Sequence, residues 1–198
     1  VLASAEVRLD PALEIDPAGS AAASFYELES LIDGRASVDV VRGRVTPVLA
    51  SGGRGGPTYL GVVTDPEAGV RIDTASTVRA LVFLTGLFFT DDPAAAAERL
   101  SQIGETPAFP EAVSLAEENL DRGADFLRNP RFTHLLGEIA VQLIDRFAQE
   151  AQAAVETRYA AADAQVDRPR RDDFVNAVFD FADDRSEEHT SELQSHAP

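Results

Sequence analysis

The chain contains no cysteine, no methionine and no tryptophan, and all 17 of its basic residues are arginine. The absence of cysteine excludes disulfides and thiolate chemistry, but it leaves the compartment open because a secreted protein can also lack cysteine. Methionine is missing even at position 1, and no basic segment followed by an apolar run marks a signal peptide. We therefore interpret the N-terminus as cut, by processing or by an incomplete gene.

Arginine without lysine, together with abundant alanine, glycine, proline and valine, is typical of a GC-rich genome, because GC-rich codons encode these residues. A salt-adapted acidic proteome is the competing explanation, and composition does not separate the two. The net charge of -17 argues against nucleic acids and anionic membrane surfaces as partners. An apolar content of 44% is ordinary for a globular protein.

The C-terminal run 185–196 reads RSEEHTSELQSH and matches the translation of a widely used sequencing-library adapter along its whole length. We interpret residues 185–198 as an artefactual tail. A metal site drawn from the glutamates and histidine at 187–189 would then be an artefact, and His134 becomes the only native histidine. The native chain is expected to continue past Asp184.

The most apolar stretch is Asp73–Asp92, where apolar residues recur at helical spacing. The recurring positions are Val78, Leu81, Val82, Thr85, Phe88 and Phe89, and Leu84 and Leu87 widen the stripe. A helix that is apolar on most sides is buried, so we predict that the rest of the chain packs around this one. Asp73, Thr74 or Ser76 is the expected N-cap. Because the apolar run is about half of the roughly 20 residues that a bilayer requires, we predict no transmembrane segment.

The region 36–73 is rich in β-branched residues, which suit a pleated surface, and predicts a three-stranded antiparallel meander. Its strands are expected at Val45–Ala50, Thr58–Thr64 and Val70–Ile72. The glycines of Gly52–Gly56 form the first turn, and Asp65–Gly69 forms the second. Pro47 predicts that its strand lies at a sheet edge, because proline has no backbone N–H to donate to a neighbouring strand.

The segment before this meander is harder to assign. Val1–Gly19 shows only short stretches of alternating apolar and polar residues and is expected to be extended. Ser20–Ile32 fits a helix with Ala21, Phe25, Leu28 and Ile32 on one face. A strand over Phe25–Ile32 is the alternative, because Tyr26, Leu28 and Ile32 share a parity.

From Pro93 onward the pattern is helical. Proline is tolerated in the first turn of a helix, which predicts helix starts at Asp92-Pro93, Thr106-Pro107 and Asn129-Pro130. The third of these helices carries a broad apolar face of Phe132, Leu135, Leu136, Ile139, Leu143, Ile144 and Phe147. Beyond Phe147 it becomes polar, as expected of a solvated extension or of a segment that packs on an absent partner. A last helix is predicted over Asp172–Asp183.

These patterns predict an α+β fold in which a small antiparallel β-meander packs on a buried central helix, followed by a mainly helical bundle. We expect an extended or helical N-terminal segment over residues 1–35. An α+β core domain follows over 36–165, with its sheet in 36–73 and its helices in 74–165. Residues 166–184 would begin a truncated following segment.

The sequence predicts no catalytic, cofactor-binding or metal-ligating residue. His134 has Glu138 at i+4, which suits a proton carrier but more often marks a pair on a helix surface. The pairs of cysteines and histidines that bind zinc, the acidic loop that binds calcium and the Gly-x-Ser-x-Gly nucleophile turn are all missing from the sequence.

Three further patterns were weighed as sites. Gly52–Gly56 lacks the Lys-Ser/Thr pair with which a glycine-rich loop binds nucleotide phosphates. Glu117 and Glu118 are adjacent and point about 100° apart on a helix, which favours a solvated acidic face over a catalytic carboxylate pair. Tyr59 and Arg54, near the hairpin turn, are candidates for contact with a ligand or partner.

The runs YLGVV at 59–63, Val70–Asp73 and STVRALVFL at 76–84 together resemble the N-terminal regions of large bacterial secreted or lipid-anchored surface proteins. In those proteins a short β segment leads into an I-D-x-x-S-T-x-x-A-L-x-F-L helix, followed by Asp-Pro and Asn-Pro helix starts. The likeness covers Val38–Phe147. It implies an exported location and a multidomain parent, and it implies no catalytic residue, because proteins of this kind have no assigned activity.

We therefore favour a non-catalytic interaction or scaffolding domain of an exported bacterial surface protein, outside the cell or in its envelope. Its partner would be another protein or the rest of a larger chain, with no cofactor and no nucleic acid. One alternative is the accessory N-terminal part of an enzyme whose catalytic domain lies beyond the truncated C-terminus. The other is an acidic domain that binds a small ligand or calcium.

Overall fold

The computed structural model describes residues 1–11, 13, 19–23, 27–52, 58–122 and 124–165, and it confirms the α+β class. The strands are β1 Leu2–Leu9, β2 Ser20–Ala23, β3 Glu27–Ser30, β4 Arg35–Val41, β5 Thr46–Ser51, β6 Thr58–Val63 and β7 Val70–Ile72. The helices are α1 Thr74–Phe83, α2 Pro93–Gly104, α3 Phe109–Asp121 and α4 Pro130–Gln165, with a 3₁₀ turn at Phe126–Arg128.

The chain divides into two compact units, residues 1–146 and residues 147–198. The first unit holds every strand described here and the helices α1 to α3. In the second unit, the described part is the remainder of α4 to Gln165, and the side chains of residues 148–160 are exposed. No helix within the described ranges is long and apolar enough to cross a membrane.

The strands form two sheets, a three-stranded sheet of order β4-β1-β7 and a four-stranded sheet of order β3-β2-β5-β6. Strand β1 runs antiparallel to β4 and parallel to β7. Successive side chains of a strand point to opposite faces. The second face of the three-stranded sheet is mainly polar, whereas that of the four-stranded sheet also carries apolar residues, among them Ala22, Leu49 and Leu60. The apolar faces of both sheets join in a single buried cluster: Ala5, Val7, Ala21, Ala23, Leu31, Ala36, Val38, Val40, Val48, Ala50, Tyr59, Val63 and Ile72.

Helix α1 begins at a capping box. The carboxylate of Asp73 accepts from the backbone N–H of Ser76 at 2.6 Å, and the Ser76 hydroxyl oxygen accepts from the Asp73 N–H at 2.9 Å. The same Ser76 hydroxyl donates to the Leu60 carbonyl of β6 at 3.0 Å, so the cap also fastens the helix to the sheet. A cap of this kind contributes about 1 kcal/mol to helix stability.

The helix is shorter than the predicted stretch, because it ends at Phe83 with Leu84 as its C-cap. Gly86 has φ of +87°, a left-handed conformation that takes the chain out of the helix. Phe88 is buried after this turn, whereas Leu87 and Phe89 are exposed. The prediction that the rest of the chain packs around one long rod is therefore too simple, because much of the buried apolar surface lies between the two sheets.

The predicted meander is half right. Strands β5 and β6 form the expected antiparallel hairpin, but β7 pairs in parallel with β1 of the other sheet. The turn before β7 passes so close to β1 that a Cβ on Gly69 would lie 2.4 Å from the Glu6 carbonyl oxygen. Local patterning located β7 correctly but carried no information about its distant partner.

Two other predictions, one for a helix and one for an edge strand, were wrong. The helix predicted over Ser20–Ile32 is replaced by β2 and β3 in the residues described, and β3 lies within the alternative strand. Pro47 does not lie on an edge strand, because β5 sits between β2 and β6. Among the described residues, the pairing of β5 with β2 runs from Val48 to Ser51 and that with β6 from Thr46 to Ser51.

The helical predictions hold better, although α3 begins at Phe109 and not at the predicted Thr106-Pro107. Helix α2 begins at the expected Asp92-Pro93, with Asp92 accepting from the Ala95 N–H at 2.7 Å. Helix α4 begins at Pro130 and buries Phe132, Leu135, Ile139 and Leu143 of the predicted face, while Ile144 is half exposed. The helix predicted over Asp172–Asp183 lies outside the described residues.

Candidate functional site

Three arginines stand side by side across the polar face of the three-stranded sheet. Arg8 of β1 is the register partner of Arg35 of β4 on one side and of Arg71 of β7 on the other. Neighbouring strands lie about 4.8 Å apart, so the row of three spans about 10 Å. We call Arg8, Arg35 and Arg71 the arginine row.

Each arginine points to the polar face because its neighbours along the strand point to the opposite, buried face. Val7 beside Arg8, Ala36 beside Arg35 and Ile72 beside Arg71 are all buried. Like charges directly opposite each other destabilise a sheet. Three aligned arginines in a chain with 34 acidic residues are therefore an arrangement that sheet stability alone disfavours.

The row borders a cleft of about 700 Å³ at the end of the strands. The cleft combines the three guanidinium groups with carboxylates and an apolar lining. Its other lining residues are Leu9, Asp10, Pro11, Leu13, Leu31, Asp33 and Gly34. Ligand sites commonly pair an apolar wall with a few charged groups in a volume of this order.

Carboxylates hold two of the arginines firmly and the third weakly. Arg8 donates to Glu6 at 2.5 Å, and Arg71 donates to Asp10 and lies 3.8 Å from Asp73. Arg35 has only Glu6, at 4.0 Å between Nη1 and Oε1. Its side chain is 69% exposed, and its guanidinium keeps hydrogen-bond donors available for another acceptor.

These contacts fix the charges of the row. The hydrogen bond from Arg8 holds the pKa of Glu6 below its ordinary value, and Glu6 in turn raises the pKa of Arg8. The hydrogen bond to Asp10 likewise raises the pKa of Arg71. Glu6 is therefore ionised and Arg8 and Arg71 are protonated at neutral pH, so this part of the site presents fixed charges.

The arginine row was not predicted from the sequence. Each arginine occupies a polar position beside an apolar one, which was visible locally, but their alignment depends on the register of three strands far apart in the chain. Of the residues that were weighed near the hairpin, Tyr59 is 2% exposed and belongs to the core, so its interpretation as a contact residue was wrong. Arg54 and Gly53–Gly56 lie outside the described residues.

The helical candidates lie away from this cleft. His134 Nε2 is 3.2 Å from Glu138 Oε1, and both side chains are well exposed, as expected for a pair on a helix surface. Glu117 and Glu118 are both exposed on α3. Residues Glu187, Glu188 and His189 are not among those described. Within the described ranges, no group of three or more histidine, aspartate or glutamate side chains is arranged to hold a metal ion.

Comparisons with protein-family models, curated proteins and solved structures give no match to this chain. The site therefore has to be interpreted from its own geometry.

Proposed function

We propose that this chain is a non-catalytic interaction domain of an exported bacterial surface protein, and that the arginine row docks an acidic segment of a protein partner. The observation that carries the proposal is the alignment of Arg8, Arg35 and Arg71 on one exposed sheet face. The exported, bacterial setting rests on the resemblance of Val38–Phe147 to surface proteins.

The chemistry of the row favours recognition over proton transfer. A guanidinium stays protonated in proteins and cannot serve as a base. Glu6 is held ionised by Arg8, which makes it a poor general acid at neutral pH. Charges fixed in this way suit the binding of an opposite charge.

Charge complementarity favours an acidic partner. The chain carries a net charge of -17, so most of its surface repels an acidic segment. At the row, the three arginines contact the carboxylates of Glu6, Asp10 and Asp73, which leaves the local charge close to balanced. Such a contrast orients an encounter more than it strengthens the final complex. Arg35 is the expected first contact, because its one carboxylate neighbour is at 4.0 Å. A carboxylate can accept two parallel N–H bonds from its guanidinium.

The test is binding of a fluorescein-labelled poly-glutamate peptide to the full chain, followed by fluorescence anisotropy at low and at physiological ionic strength. Arg35→Gln should weaken binding about two- to fivefold, as expected for one exposed ion pair. The control is Arg44→Gln, because Arg44 is also exposed and has no ion pair among the described residues. A neutral poly-glutamine peptide should not bind.

Equal effects of Arg35→Gln and Arg44→Gln would show that binding is diffuse and would overturn the proposal. Binding of a sulfated polysaccharide without binding of the peptide would replace the protein partner with a glycan. Recovery of the upstream coding sequence tests the setting, since a signal peptide supports export and a start codon directly before Val1 contradicts it.

A further inference from the structure

A further arginine outside the arginine row, Arg79, lies on helix α1. It lies between two fully buried neighbours, Val78 and Ala80, and is itself largely covered. Its guanidinium carbon is 4.9 Å from the centre of the Phe109 ring, at the start of α3. Stacking on an aromatic face holds the planar group in one orientation.

Gly104, the last residue of α2, makes room for this group. A Cβ at position 104 would lie 2.8 Å from Arg79 Nε and 3.0 Å from Arg79 Nη2. The backbone of Gly104 has an ordinary helical conformation, so its glycine is not required by a positive φ. Alanine would be the better helix former there by about 1 kcal/mol. The missing side chain is thus explained by the space that the guanidinium occupies.

Arg79 nevertheless has no hydrogen bond or ion pair with any residue that the structure describes. A guanidinium carries five N–H donors, and a largely covered charge is normally paired. Glu105, which lines the same cleft, accepts from Arg146 at 2.9 Å, and its carboxylate lies 3.4 Å from the Ser101 hydroxyl. The hydrogen bond from Arg146 keeps the pKa of Glu105 below its ordinary value.

An open, shallow cleft of about 400 Å³ is lined by Arg79, Leu100, Ser101, Gly104 and Glu105. Glu105 is bound by Arg146, whereas the charge of Arg79 has no carboxylate partner among the described residues. Ser101 adds a hydroxyl donor and Leu100 an apolar wall. A single carboxylate bearing a short apolar group would match this combination of charge, donors and wall.

We infer that the cleft at Arg79 is a binding site for a monocarboxylate with a short apolar tail, whose carboxylate accepts two parallel (bidentate) hydrogen bonds from the guanidinium. The carboxylate can come from a free short-chain acid or from the C-terminus of a peptide. The site is separate from the arginine row and does not depend on the proposed function.

The experiment follows the side-chain Nε–Hε signals of the full-length ¹⁵N-labelled chain by NMR during titration with butyrate. The Arg79 signal, assigned through its loss in Arg79→Lys, should shift and saturate. Butyramide, which has the same size without the charge, should leave it unchanged. A dipeptide ending in free valine, compared with its C-terminal amide, tests the peptide source.

Two variants separate binding from folding. Gly104→Ala keeps Arg79 but places a methyl group where its guanidinium lies, so the chain should fold and bind butyrate at least about tenfold more weakly. Arg79→Lys keeps the charge but loses the planar fork, and a similar loss is expected. Arg122→Lys, on an exposed arginine at the end of α3, is the matched control and should bind normally.

An Arg79 signal that does not move with any carboxylate would overturn the inference, as would equal shifts with butyrate and butyramide. Unchanged butyrate binding in folded Gly104→Ala would also overturn it. Shifts with butyrate alone identify a free acid as the ligand, and shifts with the dipeptide identify a peptide C-terminus. Arg35→Gln should leave butyrate binding intact, so failure here and failure of the proposed function are distinguishable.

Discussion

Gly69→Ala should be among the most destabilising substitutions of a small residue in this chain. Gly69 has φ of +66°, and a left-handed conformation costs alanine about 1–2 kcal/mol. Its Cβ would lie 2.4 Å from the backbone oxygen of Glu6, whereas ordinary contacts begin at 3.4 Å. Strands β1 and β7 would have to separate by roughly 1 Å, which weakens their ladder hydrogen bonds at about 1 kcal/mol each. We expect a total loss of about 3 kcal/mol or more.

Gly43→Ala is the matched control. Gly43 has φ of +77°, but a Cβ there would meet nothing within 4 Å, so only the backbone term remains. We expect this variant to lose about 1 kcal/mol. Urea unfolding followed by circular dichroism gives both free energies of unfolding. If the two variants lie within about 0.5 kcal/mol of each other, the close approach of β7 to β1 is refuted.

Three further predictions test the helices and the row. Asp73→Ala should lower the free energy of unfolding by about 0.5–2 kcal/mol in the same urea assay, because it removes both the cap and its reciprocal bond, and an unchanged midpoint would contradict the capping box. Phe132→Ala, at a fully buried ring 5.0 Å from that of Phe126, should cost about 3–5 kcal/mol. The exposed Leu127→Ala should cost less than about 0.5 kcal/mol, and similar losses in both would contradict the packing. The pKa of Glu6, followed by NMR, should rise in Arg8→Gln, because the hydrogen bond from Arg8 that lowers it is removed. Since folding lowers this pKa, Glu6 stabilises the folded chain at neutral pH, and this stabilisation is lost as the pH falls through the pKa of the folded state.

The sequence predicted what short-range physics determines. The N-cap at Asp73, one of three candidates, the hairpin of β5 and β6 and the proline starts of α2 and α4 each depend on residues within one turn or one loop. Their chemistry is therefore readable without knowledge of the fold. The N-terminal region was misassigned because Leu28 and Ile32 satisfy both a helical and a strand spacing, and the pairing of β2 with β3 and β5 decided between them.

The candidate sites depend on long-range pairing, and local patterns did not reveal them. The arginine row exists only because β4 and β7 both align with β1. The cleft at Arg79 requires α1, α2 and α3 to meet, and Gly104 gave no sign in the sequence that it accommodates a side chain from another helix. The end of α1 was also missed, because Gly86 is surrounded by apolar residues that continue the helical spacing.

The middle strand of the three-stranded sheet is the earliest in the chain. When the ribosome has synthesised β1, neither of its partners, β4 and β7, exists yet. Strand β7 is synthesised only after all four strands of the other sheet. A nascent strand with two bare edges is a template for intermolecular pairing, and charged side chains oppose such pairing. Glu6 and Arg8 lie on one face of β1, so the charges that meet at the arginine row in the folded chain also oppose intermolecular pairing of this strand before its neighbours are made.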